Sequence, residues 1–179
     1  MLDLVVVGHF SIDYVERDGK AFPPSLGGTV TFSRLAAAGL GAKVGIVSKV
    51  GPDFRDEHLL IFARNGIDIS YVRKVRRATT KYRLQYLGEE RTLTCLARCD
   101  PIEPRDIRML RGEVNAIHLG PIAGEISLET VSEAAKSNCA TLLDLQGVIR
   151  KFGIDGGISL SRNRVLPRIV EKVTIVKTG

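Results

Sequence analysis

The residues able to do chemistry sit at four points in the chain. Gly27-Gly28 open a stretch of small residues that includes Ala36, Ala37 and Ala38. Asp13 lies upstream in a polar segment, and Gly120-Pro121 and Asp144-Leu145-Gln146-Gly147 each close an apolar run. Glycines at a helix start let the backbone approach a ligand closely, and the free N–H groups there suit oxygen-rich or anionic groups. A tight loop packed against a sheet is the plain alternative for the glycine pair. A turn residue is the alternative for Asp13. His9 and His118 read as packed or loop histidines rather than ligands.

The elements that must position these residues follow from periodicity. Leu2 to Val7 is an apolar run broken only by Asp3, the signature of a strand buried on both faces. Residues 12–22 form a hairpin around Asp18-Gly19, a strong turn signal, and Pro23-Pro24 end it. The helix after Gly28 runs to about Leu40, and Gly41 stops it. Lys43 to Ser48 is a buried strand. Asp53 is the expected N-cap of a helix to Asn65-Gly66, followed by a strand from Ile67 to Val72. Residues 79–97 alternate polar and apolar positions around Gly88-Glu89-Glu90, which predicts a second hairpin. Further elements are a helix from Glu103-Pro104 to about Arg111, a strand at 116–119, and a helix at 127–137 capped by Ser127. A strand at 140–145, a helix at 163–171 and a strand at 173–176 complete the pattern. Alternating strands and helices imply an α/β fold, a mostly parallel sheet with helices on both faces. The two polar hairpins break the alternation and are expected to pair as a small antiparallel lid. The whole of 1–179 reads as one domain, with lid strands at about 12–22 and 79–97.

Composition removes several function classes. Hydrophobic residues are 44% and charged residues 26%, the balance of a soluble globular chain. No apolar run spans a bilayer and the N-terminus carries no signal-peptide pattern, so no membrane partner and a cytoplasmic setting are expected. Cys95, Cys99 and Cys139 lack the companions of a zinc site and read as reduced thiols, so no metal ligands are assigned. The net charge of +6 gathers notably at Arg73, Lys74, Arg76, Arg77, Lys81, Arg83 and Arg91 and reads as a solvated basic face. Aromatics are only 6%, too few for base-stacking platforms, which makes nucleic acid an unlikely partner. The turn after the first strand lacks Gly-x-Gly-x-x-Gly, and no Gly-x-x-x-x-Gly-Lys-Ser/Thr loop occurs.

One longer pattern is more specific. Gly27-Gly28, then Ala36 to Ala42 (Ala-Ala-Ala-Gly-Leu-Gly-Ala), then Val44 to Phe54 (Val-Gly-Ile-Val-Ser-Lys-Val-Gly-Pro-Asp-Phe) resemble the N-terminal signature of the ribokinase-like (PfkB) carbohydrate and nucleoside kinases. The resemblance implies phosphoryl transfer to a hydroxyl of a sugar, polyol or nucleoside, with ATP as donor and magnesium bridging its phosphates. It implies that Asp13 binds substrate hydroxyls and that Gly27 and Gly28 line the substrate pocket. A carboxylate suits neighbouring hydroxyls, since it accepts a hydrogen bond from each. Arg98 follows the second lid strand and is placed facing the pocket. Gln146 and Arg150 lie in Asp-Leu-Gln-Gly-Val-Ile-Arg, which looks like a segment of archaeal-type members, a group that includes inositol and nucleoside kinases.

Two departures qualify this. Many ribokinases carry Asn at the fourth position after the glycine pair, whereas Phe32 stands here, which puts ribose in doubt and suits stacking on a ring. The family's Asp-Thr-x-Gly-Ala-Gly-Asp motif, with the catalytic base and the anion hole, has no match in these 179 residues. The chain therefore reads as the N-terminal portion of such a kinase, lacking the nucleotide-binding part, with no catalytic residue of its own. Alternatives are one half of a split kinase, or a non-catalytic carbohydrate-binding or dimerisation module that pairs through its lid. The expected outcome is no turnover by the purified chain with ATP and a sugar panel, measured by coupled ADP release.

Overall fold

The computed structural model describes residues 1–110 and 113–178. In chain order, β1 (Leu4–Val7) leads to β2 (Ser11–Arg17), β3 (Lys20–Ala21), β4 (Ser25–Gly27), α1 (Thr29–Gly39) and β5 (Val44–Val50). Next come α2 (Asp56–Arg64), β6 (Asp68–Lys74), β7 (Thr80–Leu87), β8 (Glu90–Ala97), α3 (Pro104–Arg108) and β9 (Ala116–Leu119). The rest is α4 (Leu128–Ala134), β10 (Ala140–Asp144), α5 (Gln146–Ile149), β11 (Arg150–Phe152), β12 (Ile158–Leu160), α6 (Leu166–Val170) and β13 (Ile175–Lys177).

Six strands form one parallel sheet in the order β13-β10-β9-β1-β5-β6. Its central strand β1 carries Val5, Val6 and Val7, all fully buried, because helices cover it from both sides. On one face Val5, Val7, Ile117, Leu119 and Leu143 pack with Ile107 of α3, Val131 of α4 and Ile169 of α6. On the other, Val6 and Ile46 pack with Val30 of α1 and Phe62 of α2. Ala37 and Ala38 lie against that second cluster, and Phe10 stacks on Phe62 at 5.3 Å between ring centroids.

The two polar hairpins join into one small sheet as expected, but the contact between them is parallel rather than antiparallel. β2 and β7 are parallel neighbours from Ser11↔Thr80 to Arg17↔Tyr86, and β3, β4 and β8 complete a five-stranded sheet. Asp18 and Gly19 both take positive φ, the geometry of the two-residue turn that suits the twist of a hairpin.

Several expectations are corrected. Asp53 does not cap α2, which begins at Asp56 with no side-chain cap. Asp53 is instead drawn away by the Thr79 N–H and hydroxyl, each at 2.9 Å, and by Lys81 at 2.7 Å. α3 stops at Arg108, and the expected helix end at Arg111 lies outside the described residues. The helix expected over 163–171 is confined to α6, because Asn163 turns its side chains inward, accepting from the Val165 N–H and donating to the Val148 carbonyl. β4 and the β11–β12 hairpin are additions, the latter turning through residues 153–157. The basic run is not simply a solvated face. Arg73 pairs with Asp106, Lys74 with Asp56, Arg77 with Asp100 and Lys81 with Asp53.

A buried ion pair ties β5 to α3. Lys49, with its side chain 5% exposed, meets Asp106 at 2.8 Å, and Asp106 also closes a capping box with Glu103. Burial works to raise the Asp106 pKa, but hydrogen bonds from Lys49 and the Glu103 N–H win and hold it below 3.8. Its stabilisation is therefore complete above that value and lost as pH falls through the depressed native pKa. Lys49→Met leaves a buried carboxylate short of its main partner and is expected to cost about 3 kcal/mol at pH 7. Urea unfolding measures it, and the gap to wild type should narrow as the pH drops below 3.8.

Candidate functional site

The carboxyl ends of the parallel strands face the lid across a cavity of about 490 Å³. β2 and the start of α1 supply Ser11, Asp13, Gly28, Thr29 and Phe32. The lid supplies Tyr82, Leu84, Tyr86, Arg91 and Leu93, and the sheet end supplies His118, Asp144, Gln146, Arg150 and Lys177.

Asp13 is held at the lid root by the close packing of two glycines. A Cβ on Gly27 would collide with the Asp13 carboxylate and the Ser11 hydroxyl. Gly28 has φ +90°, and a Cβ there would strike the His9 carbonyl. Only glycine allows β4 to run this close to β2 before α1 begins. Burial pushes the Asp13 carboxyl above its ordinary range, against a hydrogen bond from Ser11 and the nearby Arg91 charge. Its Oδ1 is buried and has no hydrogen-bond partner among the described residues. A buried unpaired carboxylate oxygen is costly, so it marks a place where a ligand donor fits.

His118 shares that property. Its Nε2 is buried without a partner among the described residues. Burial lowers its pKa, Asp144 works against this and Lys177 adds to it, so the imidazole is neutral near pH 7. Period-2 alternation places His118 opposite buried Ile117 and Leu119, among the side chains that line the cavity. Beside it, Asp144 pairs with Lys177 at 3.0 Å and accepts from the Gln146 N–H at 2.9 Å. Tyr82 donates to the Ile122 carbonyl at 2.6 Å, and Arg150 donates to the same oxygen at 3.1 Å.

Of the residues singled out from the sequence, Asp13, Gly28, Phe32 and Gln146 line one cavity, with Gly27 directly behind Asp13. Phe32 is 62% exposed, so it edges the mouth rather than the floor. Arg98 is the exception. It lies over the Phe152 ring at 4.9 Å and lines a separate groove, because β11 brings that ring beside the end of β8. The lid residues Tyr82, Arg91 and Leu93 were not foreseen, although the hairpin alternation puts one set of side chains on a common face.

No family model matches the chain. In sequence it is 28% identical over 166 residues to inositol 3-kinase of Arabidopsis thaliana, covering 88% of this chain and 44% of the relative. It is 40% identical over 87 residues to cytidine kinase of Thermococcus kodakarensis, covering 48% of this chain and 31% of that one. In structure it matches a pyrophosphate-dependent kinase in the ribokinase family, complexed with a pyrophosphate analog and myo-inositol, with a TM-score of 0.81. That match is 21% identical and covers 98% of this chain and 60% of the other. The fold is thus that of the ribokinase-like (PfkB) kinases. The family resemblance carried by the glycine pair and the Val44–Phe54 segment is borne out, with inositol and cytidine kinases as sequence relatives. The chain spans less than half the length of these sequence relatives.

Gly28→Ala combines a forbidden φ with a backbone collision and is expected to cost about 3 kcal/mol of stability. Chemical denaturation of the variant against wild type measures the loss.

Proposed function

We propose that the chain forms the acceptor side of a ribokinase-type phosphotransferase, holding a polyol or nucleoside whose hydroxyl receives the phosphoryl group. The observation that carries this reading is the unpaired, buried Asp13 Oδ1 on a cavity shared with Gly28. A hydroxyl donor would satisfy that oxygen, and the carboxylate has room for a second from an adjacent carbon. The apolar lid side chains Tyr82, Leu84 and Leu93 would cover the ring and exclude water from the reacting hydroxyl. Among candidate acceptors an inositol-like ring is favoured, since the cavity has polar groups on both its lid and sheet walls. Phe32 at the mouth suits stacking on a ring, and its place where many ribokinases carry Asn leaves ribose disfavoured.

ATP and magnesium come with the family rather than with these residues. Among the described residues no three His, Cys, Asp or Glu side chains gather closely enough to hold a metal ion. The Asp-Thr-x-Gly-Ala-Gly-Asp motif is missing from the sequence. No proton transfer or donor contact is therefore assigned within this chain, and pairing with residues that carry that motif is part of the proposal. A homodimer through the lid, and a cytoplasmic setting for the free thiols, belong to the same reading. No helix among the described residues is long and apolar enough to cross a membrane.

Calorimetric titration with myo-inositol, cytidine and ribose tests the proposal. Myo-inositol is expected to bind the full chain, and Asp13→Asn to weaken it at least about tenfold, the cost of a charge-assisted hydrogen bond. Affinity should also fall with acidification at a pH above the ordinary aspartate range, because the raised Asp13 pKa protonates the acceptor early. Equal affinity for the Asp13→Asn variant would sink the reading.

A further inference from the structure

We infer that His118 is a specificity-determining residue, its Nε2 hydrogen-bonding one ring hydroxyl of the substrate from the sheet wall while Asp13 holds others from the lid. This rests on the polyol reading above and adds to it a second recognition point on a different element.

The argument is one of satisfaction and placement. Three buried side-chain atoms lack hydrogen-bond partners among the described residues: Asp13 Oδ1, Ser48 Oγ and His118 Nε2. Two of the three belong to side chains lining the same cavity. His118 sits on β9 with Val6 and Leu142 beside it in register, apolar residues that offer its ring no polar partner. The charged groups that face it, Asp144 and Lys177, are committed to each other at 3.0 Å. A neutral imidazole nitrogen is a donor or an acceptor according to tautomer, and a hydroxyl complements either. An anionic group gains less from it, because the ring carries no charge to offset the anion's desolvation. The site therefore selects for a hydroxyl at one defined ring position. A site with a buried polar group discriminates strongly against an analogue lacking the partner, since the group is then left unpaired.

The test is calorimetric titration of the full chain with myo-inositol and its single-deoxy analogues, for wild type, His118→Ala and His118→Gln. Wild type is expected to lose about tenfold in affinity for the analogue that lacks the His118 partner. His118→Ala should bind myo-inositol about tenfold more weakly and treat that same analogue as equal to it. His118→Gln, which keeps a donor and an acceptor, should recover part of the discrimination. Wild-type discrimination preserved in His118→Ala overturns the inference and leaves the polyol reading standing. Absence of binding by wild type overturns both. Nitrogen-15 NMR of the wild-type imidazole gives a readout that needs no variant to fold. The His118 Nε2 resonance should move on saturation with myo-inositol, and an unmoved resonance in an inositol-bound chain overturns the inference.

Discussion

The site depends on one buried carboxylate. Glu125, 3% exposed, accepts the N–H groups of His9 at 3.0 Å, Ile122 at 3.0 Å and Ala123 at 2.7 Å. These come from the turns after β1 and β9, two adjacent strands of the parallel sheet. Joining them fixes where the lid leaves the sheet and where the Ile122 carbonyl points. That carbonyl then receives Tyr82 from the lid and Arg150 from the start of β11. Three backbone donors in a water-excluded place would otherwise be unpaired, each at a cost of about 1–3 kcal/mol. The carboxylate thus organises the cavity floor without lining it. Gly8 and Gly120 make the approach possible, since a Cβ on Gly8 would stand 2.5 Å from the Gly120 oxygen.

The second constraint is the meeting of lid and sheet. Tyr82 and Cys95 of the lid pack with Ile122 and Ala123 of the site loop, and Leu93, Phe152 and Ile158 close around them. The Cys95 N–H donates to the Gly156 carbonyl at 2.8 Å, so the β11–β12 hairpin is fastened to the outer lid strand. Burial in this cluster pushes the Cys95 thiol and the Tyr82 phenol upward in pKa, leaving both neutral and suited to an apolar seam.

Much of the fold was readable because its signals are local. The strand expected over Leu2 to Val7 (observed as Leu4–Val7), the hairpin turn at Asp18-Gly19 and the Ser127 cap each depend on a few neighbouring residues, and each is present. What was not readable depends on distant partners. Asp53 has the type and position of a cap, but Thr79 and Lys81, far along the chain, claim it. Arg98 follows a lid strand, but the Phe152 ring holds it away from the cavity. His118 has no local signal beyond its place in a short strand. That its Nε2 is left without a partner beside the cavity follows only from the assembled sheet. Glu125 was missed for the same reason, since nothing in Ala-Gly-Glu-Ile announces three converging N–H groups.

The parallel pairing of β2 with β7 has a consequence for biogenesis. No tight turn can join parallel neighbours, so this contact closes only after β5, α2 and β6 have been made between them. As the polypeptide leaves the ribosome, the first hairpin waits with an open strand edge until the second emerges. A stall in that interval would present this edge to other nascent chains, and cross-pairing between molecules would compete with assembly of the flap.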